Sequence, residues 1–241
     1  MAWPVFPSTA GGLNGNAILK RKVARRRVFA DRKNKVASDN NLRIYNCADK
    51  QFRLLGFLPL LFFLAQAIHY WQINQLGHML WMCNIGNLLL ALGIFFEQAL
   101  LIRVAVIWSM PGVIVWCLYV VPTWGMFLTG KGGVSELYGV VSSTLAHVGG
   151  LSVGILVLRK VRMNGSAWAY AFLWYFIVQL ASRLVTPVAM NVNLSQRVQD
   201  GWEGLFTSYL KFWLILTVLV GVCLWLLGLV LKHFWPTSAT S

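Results

Sequence analysis

The stretch WMCNIGNLLLALGIFF, from Trp81 to Phe96, decides the fold. Every side chain from Leu88 to Phe96 is apolar, yet the seven residues before it hold Cys83, Asn84 and Asn87. In water such a mixture would be unremarked. In a bilayer each polar side chain is costly unless it has a partner or a task.

The rest of the chain says which solvent applies. Of 241 residues 58% are hydrophobic and only 12% charged, with a mean hydropathy of +0.63. A soluble domain of this length has too little interior to hide that much apolar surface. The 12 Trp, 7 Tyr and 14 Phe suit membrane interfaces. The four cysteines, Cys47, Cys83, Cys117 and Cys223, have no paired spacing, so neither a zinc ribbon nor a disulfide framework is expected.

About 20 apolar residues cross a hydrocarbon core. Six stretches meet that length, some with their flanks: Leu54–Trp71, Leu76–Phe96, Ala99–Val121, Tyr138–Leu158, Ala167–Pro187 and Phe212–Phe234. Each is read as helical, because an open sheet edge cannot be satisfied in lipid. Pro59 and Pro111 lie inside spans and are expected to kink them. The expected fold is therefore an all-α polytopic membrane protein, a bundle of six transmembrane helices with a basic N-terminal arm. Residues 1–50 form the arm, 51–234 the bundle and 235–241 a short tail.

Basic residues set the orientation. With the N-terminus inside, 17 of the 21 Lys and Arg fall on the cytoplasmic side. Lys131, Arg197 and Lys211 fall opposite, and Arg183 lies in the fifth helix. This asymmetry predicts that both termini are cytoplasmic. No apolar stretch precedes KRKVARRRVFADRKNK, so a secretory signal is not expected, although an Arg-rich transit peptide is an alternative reading of the arm. The arm accounts for most of the +14 net charge and suits anionic headgroups as its partner. No aromatic platform or folded reader accompanies it, so nucleic acid is not an expected partner.

Under this topology the polar groups gather in the outer leaflet. At 1.5 Å per residue Cys83 lies about 10 Å, His147 about 13 Å and Arg183 about 6 Å below the outer surface. Gln66, His69 and His78 are also outward, and Asn191, Asn193 and Gln196 follow in the outer loop. Helical spacing aligns Cys83, Asn84 and Asn87 on one stripe. Ser143 and Thr144 stack a turn before His147, while Gly150 and Gly154 permit close helix approach beside it. Gln179, Arg183 and Thr186 make a third stripe, and together the stripes predict one cavity. Each residue also has a plain reading: a small buried hydrophobe for the cysteine, an interhelical bond for histidine or asparagine, and snorkelling for Arg183.

WMCNIGNLLLALGIFF, an Arg- and Pro-containing third helix, SSTLAHVGGLSVGI and an Asn-containing loop after helix five together resemble the YwaF-like integral membrane family. The resemblance covers roughly residues 50–234. Animal members of that family are transmembrane acyltransferases of ether-lipid remodelling, and a membrane cysteine and histidine are implicated in moving the acyl chain. The resemblance implies these roles for Cys83 and His147. The chain departs from the family at Trp81, where a histidine is common, and after Asn191 and Asn193, where tyrosine is usual.

The chemistry is coherent for these residues. A thiolate is a strong nucleophile, and a histidine can take the thiol proton and return it to a leaving hydroxyl. Asn84 or Asn87 can donate to an oxyanion, and Arg183 can hold a phosphate or carboxylate headgroup. His78, Gln179 and Asn191 complete the expected substrate-binding set, with membrane lipids as the substrates. No cofactor and no metal site are expected. The competing classes are a non-catalytic lipid or small-molecule carrier or sensor, a lipid hydrolase and a bis-histidine haem protein.

Overall fold

The computed structural model of the protein describes residues 50–129 and 133–237. The basic arm and the tip of the loop after the third long helix lie outside the described residues. So do the last four positions. Among the described residues all regular structure is helical, apart from an isolated parallel bridge between Met163 and Pro236.

The helices are α1 (Lys50–Leu54), α2 (Phe57–Gln72), α3 (Met82–Phe95), α4 (Ala99–Leu128), α5 (Val134–Thr144), α6 (Gly150–Val161), α7 (Ala167–Val185) and α8 (Tyr209–Phe234). Five stretches are long and apolar enough to cross a membrane: Gln51–Gln72, Ala99–Leu118, Glu136–Val161, Ala167–Val185 and Tyr209–Phe234. The chain is thus an all-helical, multi-pass membrane protein by length and composition.

The second expected span is not one continuous helix. Leu76–Leu80 winds as a 3-10 turn, Trp81 is extended at φ −56° and ψ 138°, and α3 begins only at Met82. The break is held by a residue far along the chain. Asn193 accepts from the Met82 N–H at 3.3 Å and donates to the Leu80 carbonyl at 2.7 Å. It thereby satisfies groups on both sides of the extended residue.

Proline acts differently at its two sites. Pro59 stands in the first turn of α2, where its missing N–H costs nothing, and the chain breaks just before it between α1 and α2. Pro111 does not end α4, which runs through it for 30 residues.

The N-terminal half of α4 is the centre of the bundle. Ile102, Val104, Ala105, Val106, Ile107 and Trp108 are all essentially inaccessible, so helices surround it on every side. Beyond Pro111 the helix emerges, and Leu118 is 74% exposed. Such apolar exposure suits a lipid solvent.

Polar contacts collect several chain ends at one end of this bundle. Arg53 pairs with Glu97 at 2.9 Å, joining α1 to the end of α3. Buried Arg103 donates to the carbonyls of Arg162 and Val161, closing the C-terminus of α6. Backbone bonds from Met163 to Trp235 and from Thr237 back to Met163 fix the end of α8 there too.

Candidate functional site

Cys83 is the second residue of α3, and the first turn of a helix favours negative charge. Asn87, one turn on, uses its amide N–H groups twice. It donates to the Cys83 carbonyl at 3.0 Å and to the Ala146 carbonyl at 2.8 Å. Its Oδ1 is buried without a hydrogen-bond partner and presses on Gly150, where an added Cβ would lie only 2.2 Å away. A glycine is required there for α6 to come so close to α3. Gly154 serves likewise against Val106, so the expected small-residue contact is realised.

His147 lies in a π-helical turn, Leu145–Gly149, between α5 and α6. Such turns widen the helix, alter which carbonyls it satisfies itself and often mark functional positions. His147 Nδ1 is 2.8 Å from the Ser143 carbonyl. A carbonyl only accepts, so in the neutral ring Nδ1 carries the proton and Nε2 keeps its lone pair. Trp116 stacks on the imidazole with centroids 5.1 Å apart and donates its indole N–H to Ser143 Oγ at 2.8 Å.

Cys83 and His147 meet across Gly112. A Cβ added at Gly112 would stand 3.3 Å from Cys83 Cβ and 3.9 Å from His147 Cδ2. Glycine there lets α4 pack directly against both residues, since a Cβ would already crowd Cys83. Asn84 donates one N–H to the His78 carbonyl at 2.9 Å. Its second amide N–H is not used in that bond. His78 packs its ring on Tyr70 at 5.2 Å, and the Tyr70 hydroxyl lies near Asn84 and Cys83. His78 therefore borders this cluster and contributes its backbone carbonyl.

Gln179 and Arg183 belong elsewhere. Gln179 donates to Tyr175 Oη and the Asn193 carbonyl and accepts from Trp213 Nε1, which ties α7 to α8. Arg183 donates to the Ser195 carbonyl at 2.9 Å and lies over the Tyr209 ring at 5.2 Å. They line a cavity of about 520 Å³ with Leu180, Ser195, Tyr209 and Trp213, and no residue of α3 or the π turn reaches it. Gln179 and Arg183 therefore lie apart from Cys83 and His147. The reason is the loop at Asn193, which fills the space between α7 and the start of α3.

Asn191 is also a loop builder. It takes left-handed geometry at φ 43°, which asparagine tolerates. Its Oδ1 accepts from the Gln196 and Arg197 N–H groups, and its Nδ2 donates to the Arg197 carbonyl. Gln66 bonds Ser142 and links α2 to α5, while the His69 ring fills the space above Gly139.

Sequence reasoning missed Gly112, Trp116 and Tyr70 as parts of these clusters. The Pro111-Gly112 pair inside an apolar helix was the available signal for the first. Among the described residues no group of three or more His, Cys, Asp and Glu can hold a metal ion. No protein-family model, curated protein or solved structure was found to match the chain.

Proposed function

We propose that the chain is a membrane enzyme that transfers an acyl group between lipids, with Cys83 as nucleophile and His147 as base. The observation that carries this reading is that Cys83 and His147, from different helices, pack on the same residue of α4, Gly112. His147 Nε2 takes the thiol proton, and the sulfur attacks the ester carbonyl of a donor lipid. The C–O bond breaks, the released lysolipid alkoxide takes the proton from His147, and a thioester remains on Cys83. A second lysolipid hydroxyl, deprotonated by His147, then attacks the thioester and restores the thiol. Asn84 and Asn87 spend their N–H groups on backbone carbonyls and the Tyr70 hydroxyl, so they hold the site in place.

The same reading has six passes, both termini cytoplasmic and the site in the outer half. Alone, α3 spans about 21 Å, and the 3-10 turn before it adds about 10 Å. Together they match a hydrocarbon core of about 30 Å. The pairing of Arg53 with Glu97 supports a full return of the chain by α3. The basic asymmetry supports placing that end in the cytoplasm. Cysteine-accessibility labelling should find residues 163–166 cytoplasmic and 129–135 outside; the reverse pattern sinks the orientation.

The test of the chemistry is a pair of alanine variants. Cys83→Ala and His147→Ala should each lower lipid turnover at least about 10²-fold. The double variant should be scarcely worse than either, because members of one catalytic unit are non-additive. Wild type incubated with phospholipid should carry a hydroxylamine-labile acyl group on Cys83. Folded variants with near-normal turnover would end the thiol mechanism.

A non-catalytic lipid carrier is the second reading, favoured by the amides of Asn84 and Asn87 being largely engaged with backbone carbonyls. Lipid binding that survives Cys83→Ala with no turnover in wild type selects it.

A further inference from the structure

The groove between α7 and α8 has the build of a lipid site of its own. Its walls are Phe176, Ile177, Leu180, Leu210 and Trp213, with Arg183 at one end. Gln179 also borders it, but Trp213, Tyr175 and Asn193 occupy its amide, and Ser195 lines it with a buried Oγ that has no partner. Arg183 sits two residues before the end of α7, at the level where a cationic side chain meets headgroups. Phe176 lies seven residues earlier, about 10 Å deeper along the helix.

The guanidinium is held but not neutralised. One N–H reaches the Ser195 carbonyl, which the Tyr209 hydroxyl also meets at 2.6 Å, and the plane rests on the Tyr209 ring. No carboxylate among the described residues pairs with Arg183; Asp200, the nearest acidic residue in the following loop, is taken by Arg197. A planar cation fixed at one edge presents its other N–H groups for a bidentate anion.

We propose that this groove binds an anionic glycerophospholipid, phosphate on Arg183 and one acyl chain along Phe176, Ile177 and Leu180. The site is separate from the Cys83–His147 pair and does not depend on the acyl-transfer reading. Charge complementarity selects the headgroup, and the apolar wall selects an amphiphile over a free anion.

The experiment uses the full chain in nanodiscs with diazirine-tailed phosphatidylglycerol or phosphatidylcholine, and peptide mapping of the label. Label on Ile177, Leu180 and Leu210 should favour phosphatidylglycerol about fivefold, the effect of one cationic residue near a headgroup. Arg183→Gln should bring that ratio close to one while leaving total label similar. Leu180→Trp, at a position 59% exposed and therefore tolerant, should cut label from both lipids. Cys83→Ala should keep the wild-type ratio, which separates this site from the catalytic proposal. Equal labelling by the two lipids in wild type overturns the proposal, as does a ratio that Arg183→Gln leaves unchanged. If Arg183→Gln does not fold, undiminished labelling of Leu180→Trp overturns it instead.

Discussion

Two polar clusters built from the same residue types, one around Gly112 and one around Asn193, differ in how far their hydrogen bonds are closed. Asn193 donates to Leu80 and Ser182 and accepts from Met82, so its side chain is fully engaged. Gln179 beside it is equally engaged. At Gly112, Cys83 and His147 pack on one residue of α4, and His147 spends Nδ1 on the Ser143 carbonyl. Polar residues in the first cluster hold helices together. In the second the imidazole Nε2 keeps its lone pair. The contrast teaches that a buried amide identifies a site only when its bonding capacity exceeds what its neighbours use.

The largest effect should come from crowding the Gly112 cluster. Gly112→Val pushes methyl groups against Cys83 and His147 without removing either, and turnover should fall about 10²-fold, as for an approximately 1 Å misplacement of reacting groups. Unchanged turnover in a folded Gly112→Val protein, measured by lipid mass spectrometry, means the Cys83–His147 pair is not where chemistry happens.

Opening the closed cluster should damage stability instead. Asn193→Ala leaves the Leu80 carbonyl, the Met82 N–H and Ser182 Oγ without their partner. The expected cost is about 3 kcal/mol in unfolding from detergent micelles. A loss below about 1 kcal/mol would show that water or lipid replaces these bonds easily.

A smaller effect tests the join of α3 to α6. Gly150→Ala drives a methyl into Asn87 Oδ1, at a cost of about 2 kcal/mol. In an Asn87→Ala background the same change should cost little, or stabilise α6 through the better helix propensity of alanine. Equal costs in both backgrounds would place the strain elsewhere.

The smallest effect lies in the exposed loop. The Arg197 hydrogen bond holds the Asp200 carboxyl below its usual range. Its folded pKa is thus lower than its unfolded one, so its contribution is complete above about pH 4 and lost as pH falls through the folded value. Because the pair is fully solvated, Asp200→Asn should leave the melting temperature at neutral pH within experimental scatter. A clear drop would mean that this loop carries more of the closed cluster than its exposure implies.

The helical, membrane-crossing character of the chain was legible because long runs of Leu, Val, Ile and Phe advertise their solvent. The break at Trp81 was not. It depends on Asn193, 111 positions from Met82, and periodicity reads only a helix's own residues. The π turn at His147 is likewise invisible to a 3.6-residue pattern, because its winding is fixed with Asn87 of another helix. At the candidate site the sequence held the right stripe but could not distinguish an engaged amide from a free one. That distinction placed Gln179 and Asn191 among scaffold residues, while Cys83 and His147 stayed together at Gly112.

The backbone pairing of Met163 with Trp235 and Thr237 has a consequence for biogenesis. A chain is made from its N-terminus, so the turn between α6 and α7 emerges about 70 residues before its partner segment exists. Until α8 has been inserted, the Met163 N–H and carbonyl must be satisfied by water. The turn therefore remains available to chaperones and proteases until translation reaches Thr237, and its closure reports that the last helix has arrived.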